Sequence, residues 1–172
     1  IICGFAIRDS VDNLAPRQYE YIYQYDLMAV FPDEDNDNMI KKFSDDENIE
    51  DYMNLRIESV KLIDADEKAE AVQLLVIPRD DALEDYIRLI NLKGREVTLN
   101  NDGVIITQNA ASMLNLKAND NVTMQNMDLM RNEATISEIV QNNLGNNVYI
   151  TQELYDALPI YLCIKWCACA SI

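Results

Sequence analysis

The chain of 172 residues contains no histidine. That removes the commonest general base at neutral pH and the commonest zinc ligand, and with them every Ser–His or Cys–His catalytic pair. Glycine and proline are scarce, four of each, which excludes a collagen-like or low-complexity chain. Basic residues are few: 14 Lys and Arg stand against 30 Asp and Glu, a formal charge of −16. A body of that sign repels phosphate backbones, so no nucleic-acid partner is expected. No uncharged apolar run reaches the roughly 18 residues that a membrane span needs. GxGxxG, the P-loop and GxSxG are missing, and the pattern shows no internal repeat. What remains is a chain 49% hydrophobic and 26% charged. That is enough to build a real core in one domain, 1–172.

The ends are apolar. Ile1-Ile2-Cys3-Gly4-Phe5-Ala6-Ile7 meets Arg8-Asp9 with no basic region or cleavage site, so it is not a signal peptide. It reads either as a buried first strand or as the stub of a membrane helix. Residues 158–172 carry one charge, Lys165, and suggest a buried strand near 160–166. Cys163, Cys167 and Cys169 share one parity, so an extended strand would show them on one face. Without histidine this spacing is a poor metal pattern, and the thiols read as free and buried. A bridge from Cys3 requires that the two ends lie side by side.

Between the ends the pattern alternates between helix and strand. Residues 9–24 read as helical and 25–31 as a strand stopped by Pro32. The acidic zone, 33–51, holds Asp33, Glu34, Asp35, Asp37, Asp45, Asp46, Glu47, Glu50 and Asp51 against Lys41 and Lys42. Met39, Ile40 and Phe43 supply one apolar face for a helix over 36–44. Residues 53–63 alternate, with Met53, Leu55 and Ile57 on one face and Arg56, Glu58 and Val60 on the other. Together with 71–77 they predict a β-hairpin. Asp80 or Asp81 caps a helix carrying Leu83, Tyr86, Ile87 and Ile90. Asp102-Gly103, a turn signal supplying positive φ, predicts a hairpin between 96–99 and 104–106. Thr107 caps a helix to Leu116 with Ala110, Ala111, Met113 and Leu114 inside. Strands follow at 122–124, 134–140 and 148–150, around a polar turn at 127–133, and Thr151 caps a short helix. The fold class is α+β.

Candidate chemistry is sparse. Asp33-Glu34-Asp35-Asn36-Asp37-Asn38 begins like a calcium loop, but Asn38 and Ser44 occupy the places that need glycine and glutamate. It reads as a solvated helix entry, and no metal or cofactor is expected. Paired carboxylates are plentiful in solvated loops, and no enzyme is expected. Tyr19, Tyr21, Tyr23 and Tyr25 alternate, either as an aromatic belt or as a mixture of core and surface tyrosines.

Three groups of runs resemble one family. Gly4-Phe5-Ala6-Ile7-Arg8-Asp9-Ser10-Val11, with Arg17-Gln18-Tyr19 and Tyr25-Asp26, resembles the segment just outside a membrane helix in FtsX-like ABC transporter permeases of Gram-positive bacteria. Asp102-Gly103-Val104-Ile105-Ile106-Thr107 and Ala110-Ala111-Ser112-Met113-Leu114-Asn115-Leu116 are similar to a second segment of that family. There the usual Gly-Asp is Asn119-Asp120 here, and asparagine also tolerates positive φ. The third group is Ala134-Thr135-Ile136-Ser137-Glu138-Ile139-Val140, Asn142-Asn143, Gly145, Val148-Tyr149-Ile150-Thr151 and Glu153-Leu154-Tyr155.

The resemblance implies a MacB-like periplasmic core domain: a porter-like mixed α/β lobe, 1–95 plus 148–172, with a smaller α+β lobe, 96–147, inserted in it. It implies a place on the extracytoplasmic side of the cell membrane, with membrane helices before and after. It implies a non-enzymatic role that couples ATP-driven helix movement to an outer substrate or partner. The partners would be the membrane-helix portion of the same permease, a separate ABC ATPase subunit and an extracellular peptide or lipid. Arg8, Asp9, Ser10, Gln18, Tyr25 and Asp26 would transmit the motion. The alternative is an extracellular module that binds a cationic peptide or antibiotic at the acidic surface of Asp33, Glu34, Asp35, Asp37, Asp45, Asp46 and Glu47.

Overall fold

Alternation over 53–63, with the apolar phase odd to Ile57 and even from Val60, makes the longest strand, and the rest of the fold is arranged along it. The computed structural model describes residues 22–31, 36–78, 80–142, 145–158 and 165–171. In chain order these form β1 (Leu27–Phe31), α1 (Asn36–Ser44), β2 (Asp51–Ile63), β3 (Ala69–Ile77) and a 3₁₀ helix (Asp80–Asp85). Then come β4 (Val104–Thr107), α2 (Gln108–Met113), β5 (Asn121–Gln125), β6 (Arg131–Val140), β7 (Asn147–Thr151), α3 (Gln152–Ala157) and β8 (Lys165–Ser171). The architecture is α+β, built on one mixed sheet in the order β1-β8-β2-β3-β7-β4-β6-β5.

That sheet closes on itself. β2 pairs with β3 along one edge, Arg56–Ile63 against Val76–Ala69. Its other edge is shared. Asp51 to Ile57 pair with β8, and Lys61 to Ile63 pair with β5. The second pairing completes a ring, β2-β3-β7-β4-β6-β5 and back to β2. β1 and β8 extend outward from the first half of β2. The strands of 96–147 and those of 51–77 therefore share one hydrogen-bonded sheet.

Parity decides which side chains fill the ring. Even-numbered residues of β2, β3 and β7 (Val60, Leu62, Val72, Leu74, Val76, Val148, Ile150) join Val104, Ile106, Val122, Met124 and Ile136 in one core cluster. Ala110, Ala111 and Leu114 from and just after α2, and Tyr155 from α3, complete it. The odd residues Met53, Leu55, Leu75, Ile77 and Tyr149, with Ile105, form a second cluster on the other face, covered by Leu83, Tyr86, Ile87, Leu89 and Leu99. β4 and β7 are therefore buried on both faces, and every residue of each is buried. α1 is held by Phe43, whose ring meets Phe31 edge-on at 5.8 Å and Tyr52 at 6.2 Å.

Several expectations are corrected. Residues 97–100 form no strand. Glu96 makes one bridge to Ile90, and β4 pairs instead with β6 and β7. Gly103 is not at positive φ; it is needed because a Cβ there would overlap the Thr135 carbonyl oxygen. The helix expected from Asp80 through Ile90 stops at Asp85. Beyond it the backbone pairs elsewhere: the Tyr86 carbonyl accepts from Gln24 N at 2.8 Å, and Arg88 N donates to the Ile22 carbonyl at 2.8 Å. The helix after Thr107 ends at Met113, whose side chain is exposed. The C-terminal strand is described over Lys165–Ser171, which overlaps the end of the stretch expected near 160–166. Residues 159–164, and most of the helical stretch expected at 9–24, lie outside the described residues, as does the apolar run 1–7.

A short repeat also emerges. Val104-Ile105-Ile106-Thr107-Gln108 and Val148-Tyr149-Ile150-Thr151-Gln152 each run from strand into helix. Thr107 and Thr151 hold the same extended backbone before their helices. Thr151 Oγ1 caps α3 by accepting from Leu154 N at 3.1 Å. Thr107 Oγ1 accepts from Asn147 N at 3.1 Å and so ties the two units together. Five residues are too few to register as a sequence period. Asn119 takes the left-handed conformation expected of it, φ 71.

Gly103 supplies the fold's sharpest steric test. Gly103→Ala is expected to cost about 2 kcal/mol, the ordinary penalty of overpacking against fixed backbone. It should lower the urea midpoint at unchanged slope.

Candidate functional site

In its described part the acidic zone is a surface feature. Asp33, Glu34, Asp35, Arg8, Asp9, Ser10 and Gln18 lie outside the described residues, and of Asp37 only its backbone place in α1 is described. Asp45, Asp46 and Glu47 are exposed on the turn after α1. Asp46 is occupied with its own loop. Its Oδ1 accepts from Asn48 N at 3.0 Å and Nδ2 at 2.8 Å, and these bonds hold its carboxyl below the usual carboxylate range. Among the described residues no group of three or more Cys, Asp and Glu is arranged to hold a metal ion.

A cavity of about 350 Å³ opens at the start of β2. Asp51, Tyr52, Met53 and Asn54 form one wall, and Pro78, Asp85 and Tyr86 the other. Asp51 and Asp85 are exposed, while Met53 and Tyr86 are buried. Carboxylates thus stand at the rim and apolar surface lies beneath. Asn54 Oδ1 is buried and accepts no hydrogen bond from the described residues.

The entering chain is fastened beside this cavity. Ile22 is 3% exposed, and the Ile22–Gln24 backbone bonds to Tyr86 and Arg88 as described above. The Tyr23 hydroxyl accepts from Asn142 Nδ2 at 2.9 Å. Asn142 and Asn147 also reach the buried Tyr149 hydroxyl, each at 3.4 Å. Burial pushes the Tyr149 phenol well above its ordinary pKa, with the neighbouring Tyr23 adding to the effect. The Tyr25 ring lies 5.4 Å from that of Tyr23, and Asp26 is exposed. The structure therefore brings Tyr25 and Asp26 next to the brace at Tyr23 but not to the acidic turn.

Sequence reasoning passed over two features. The cavity joins residues far apart in the chain, so no local pattern announces it. The β5–β6 turn is polar in its pattern, yet Met127 is 79% and Leu129 71% exposed. Its apolar letters were the available signal. Asn126 shapes that turn by accepting at Oδ1 from Met130 N at 2.8 Å.

Among the described residues one carboxyl is buried in the ring. Glu58 lies on β2 between the β8-paired and β5-paired stretches and is 4% exposed. Its Oε1 accepts from the Tyr155 hydroxyl at 2.8 Å, and its Oε2 accepts nothing from the described residues. Burial pushes the carboxyl up to about 7, although the Tyr155 bond and the Arg56 charge both favour the ionised form. Burial, and then the bond to Glu58, push the Tyr155 phenol above its ordinary value.

The folded state thus holds a proton on Glu58 that the unfolded chain releases from about pH 4.5. Stability should fall as pH rises from there to about 7, and stay low above it. At about 1.4 kcal/mol per unit the loss is on the order of 3 kcal/mol. Denaturant titrations of wild type and Glu58→Gln across this range should differ by that slope, with the variant the more stable at pH 8.

No family model matches the chain, and no curated protein matches it. Solved structures with a similar fold include a domain assigned to a permease protein from Porphyromonas gingivalis. It is 10% identical, the match covers 77% of this chain and 66% of that one, and the TM-score is 0.44. The periplasmic region of MacB from Actinobacillus actinomycetemcomitans is another, at 14% identity, 91% and 70% coverage and a TM-score of 0.46. The chain spans about two thirds of the length of the first of these.

Proposed function

We propose that this chain is a non-catalytic extracytoplasmic domain of an FtsX-like ABC transporter permease, and that it carries movement of the membrane helices outward as a rigid body. The family reading rests on the residue runs quoted above. Those that fall in described segments occupy structural positions: Asn119 at a left-handed turn, Asn142 and Tyr149 in the buried network, Thr151 at a helix cap.

One observation supports the mechanical reading above the others. Leu27 of β1 pairs with Ala170 of β8, and Ala170 pairs with Tyr52 near the start of β2. The chain entering β1 and the chain leaving β8 therefore lie side by side at one end of β2. A body joined to one membrane through both flanks needs that geometry. In this reading the ATPase subunit acts from the other side of the membrane, and the β2–β3 turn, residues 64–68, is the outermost point. Tyr25 and Asp26 lie where motion enters, with Arg8, Asp9, Ser10 and Gln18 before them.

Asp66→Cys in the full-length protein tests both parts. The residue is exposed on the β2–β3 turn. A membrane-impermeant maleimide should label it on intact protoplasts or spheroplasts above the wild-type background; labelling only after lysis would remove the extracytoplasmic assignment. A donor dye on the same cysteine, with an acceptor dissolved in the bilayer, should change its transfer efficiency between the nucleotide-free and vanadate-trapped complexes. Equal efficiencies would remove the coupling.

A further inference from the structure

Glu58 stands where β2 changes partners. Residues 58–60 pair with β3, but the β8 pairing stops at Ile57 and the β5 pairing starts at Lys61. The carboxyl is buried there, and α3 reaches it through the Tyr155 hydroxyl, 2.8 Å from Oε1. Oε2 accepts nothing from the described residues. Arg56, two residues back on the same strand, is the charge that acts on it. Leu74 and Val72 of β3, opposite Glu58 and Val60, are apolar. So are Val122 and Met124 of β5 in the same interior. On α3, Asp156 is exposed and accepts from Gln152 Nε2 at 2.6 Å.

The two sides of the Glu58–Tyr155 bond are unequally held. β2 is fixed by eight residue pairs to β3 and, on its other edge, by β8 and β5. α3 is six residues long, well short of the roughly 12 that even a good helical sequence needs alone. Tyr155 is its one buried residue, while Leu154 and Leu158 are partly buried. An ionised Glu58 with one donor in an apolar interior is costly. Water reaches it most cheaply by displacing the weaker of the two elements.

We infer that Glu58 and Tyr155 form a proton-operated latch: a protonated carboxyl holds α3 on the ring, and an ionised one releases it so that water reaches the charge. The opening is local, and β2, β3 and β7 stay paired. The closed form keeps the proton up to about pH 7, and the open form releases it from about pH 4.5. Opening therefore becomes about tenfold easier per pH unit between these values and levels off above them. Acid locks α3, the element that precedes β8 in the chain. The inference concerns the ring and α3 alone and holds whether or not the domain belongs to a permease.

Amide hydrogen exchange of the 1–172 chain from pH 5 to 8, corrected for the intrinsic rate, tests the latch. The amides of residues 155–158 should lose about a hundredfold in protection between pH 5 and 7 and then stay level. Submolar urea should leave their exchange unchanged, because a local opening exposes little surface. Val148 and Ile150 of β7 should remain better protected and respond to urea. Glu58→Gln should flatten the pH profile of α3. Tyr155→Phe keeps the ring but removes the O–H donor that favours the ionised form, so its loss of protection should continue beyond pH 7. If α3 exchanges with the same urea slope as β7, it opens only by global unfolding and the latch is removed. A profile left unchanged by Glu58→Gln, or by Tyr155→Phe should the first variant not fold, removes it equally.

Discussion

The shared edge of β2 is the constraint on which the structure depends. A strand has two edges, and one of these is taken by β3. The other must serve both β8 and β5. Pairing with β5 over Lys61–Ile63 closes the ring, and pairing with β8 over the first half carries the chain's two flanks. The changeover leaves Glu58, Ser59 and Val60 between the two partners. Glu58 points the same way as Val60 and Leu62 by parity, so the strand that closes the ring also carries a carboxyl into it. A buried carboxyl with one filled oxygen is costly when charged. The fold meets that cost by favouring the protonated form, not by supplying a second partner from the described residues.

The same strand explains why two cores coexist without a break. Along its first half the odd face is buried, by Leu83, Tyr86 and Ile87; along its second half the even face looks into the ring. The network of Tyr23, Asn142, Asn147 and Tyr149 lies behind the outer core and ties the entering chain to β7 and to the segment after β6. Buried polar groups that satisfy one another hold one arrangement more strictly than apolar packing alone. Chain entry, outer core and ring are thus parts of one body.

Much of the fold was legible where a single local rule decides. The bounds of α1 follow from Met39, Ile40 and Phe43; the two faces of β2 follow from alternation; Asn119 follows from its tolerance of positive φ. The errors lie where long-range pairing overrides a local signal. Tyr86, Ile87 and Ile90 have helical spacing, but their backbone is drawn to Ile22–Gln24 and to β6. Asp102-Gly103 looks like a hairpin turn, yet that glycine answers to the Thr135 backbone on β6. Ring closure by three residue pairs leaves no mark in the sequence. The cavity leaves no local mark for the same reason: in the sequence Asp51 belongs to the acidic zone and Asp85 to a helical stretch.

Closure also bears on whether movement at one end can reach the other. β2 is 13 residues long, which at about 3.3 Å per residue gives a length of about 40 Å. A tilt of about 10° at the Asp51 end would displace the far turn by about 7 Å over that length, if the strand does not bend. An open, twisted sheet absorbs such a tilt by coiling further. Here β2 is fixed on one edge by β3 and on the other by β8 and then β5, and its even face presses on a packed interior that resists compression. The cavity lies at the base of this lever, and Tyr86 in its wall is the residue whose carbonyl holds Gln24 of the entering chain.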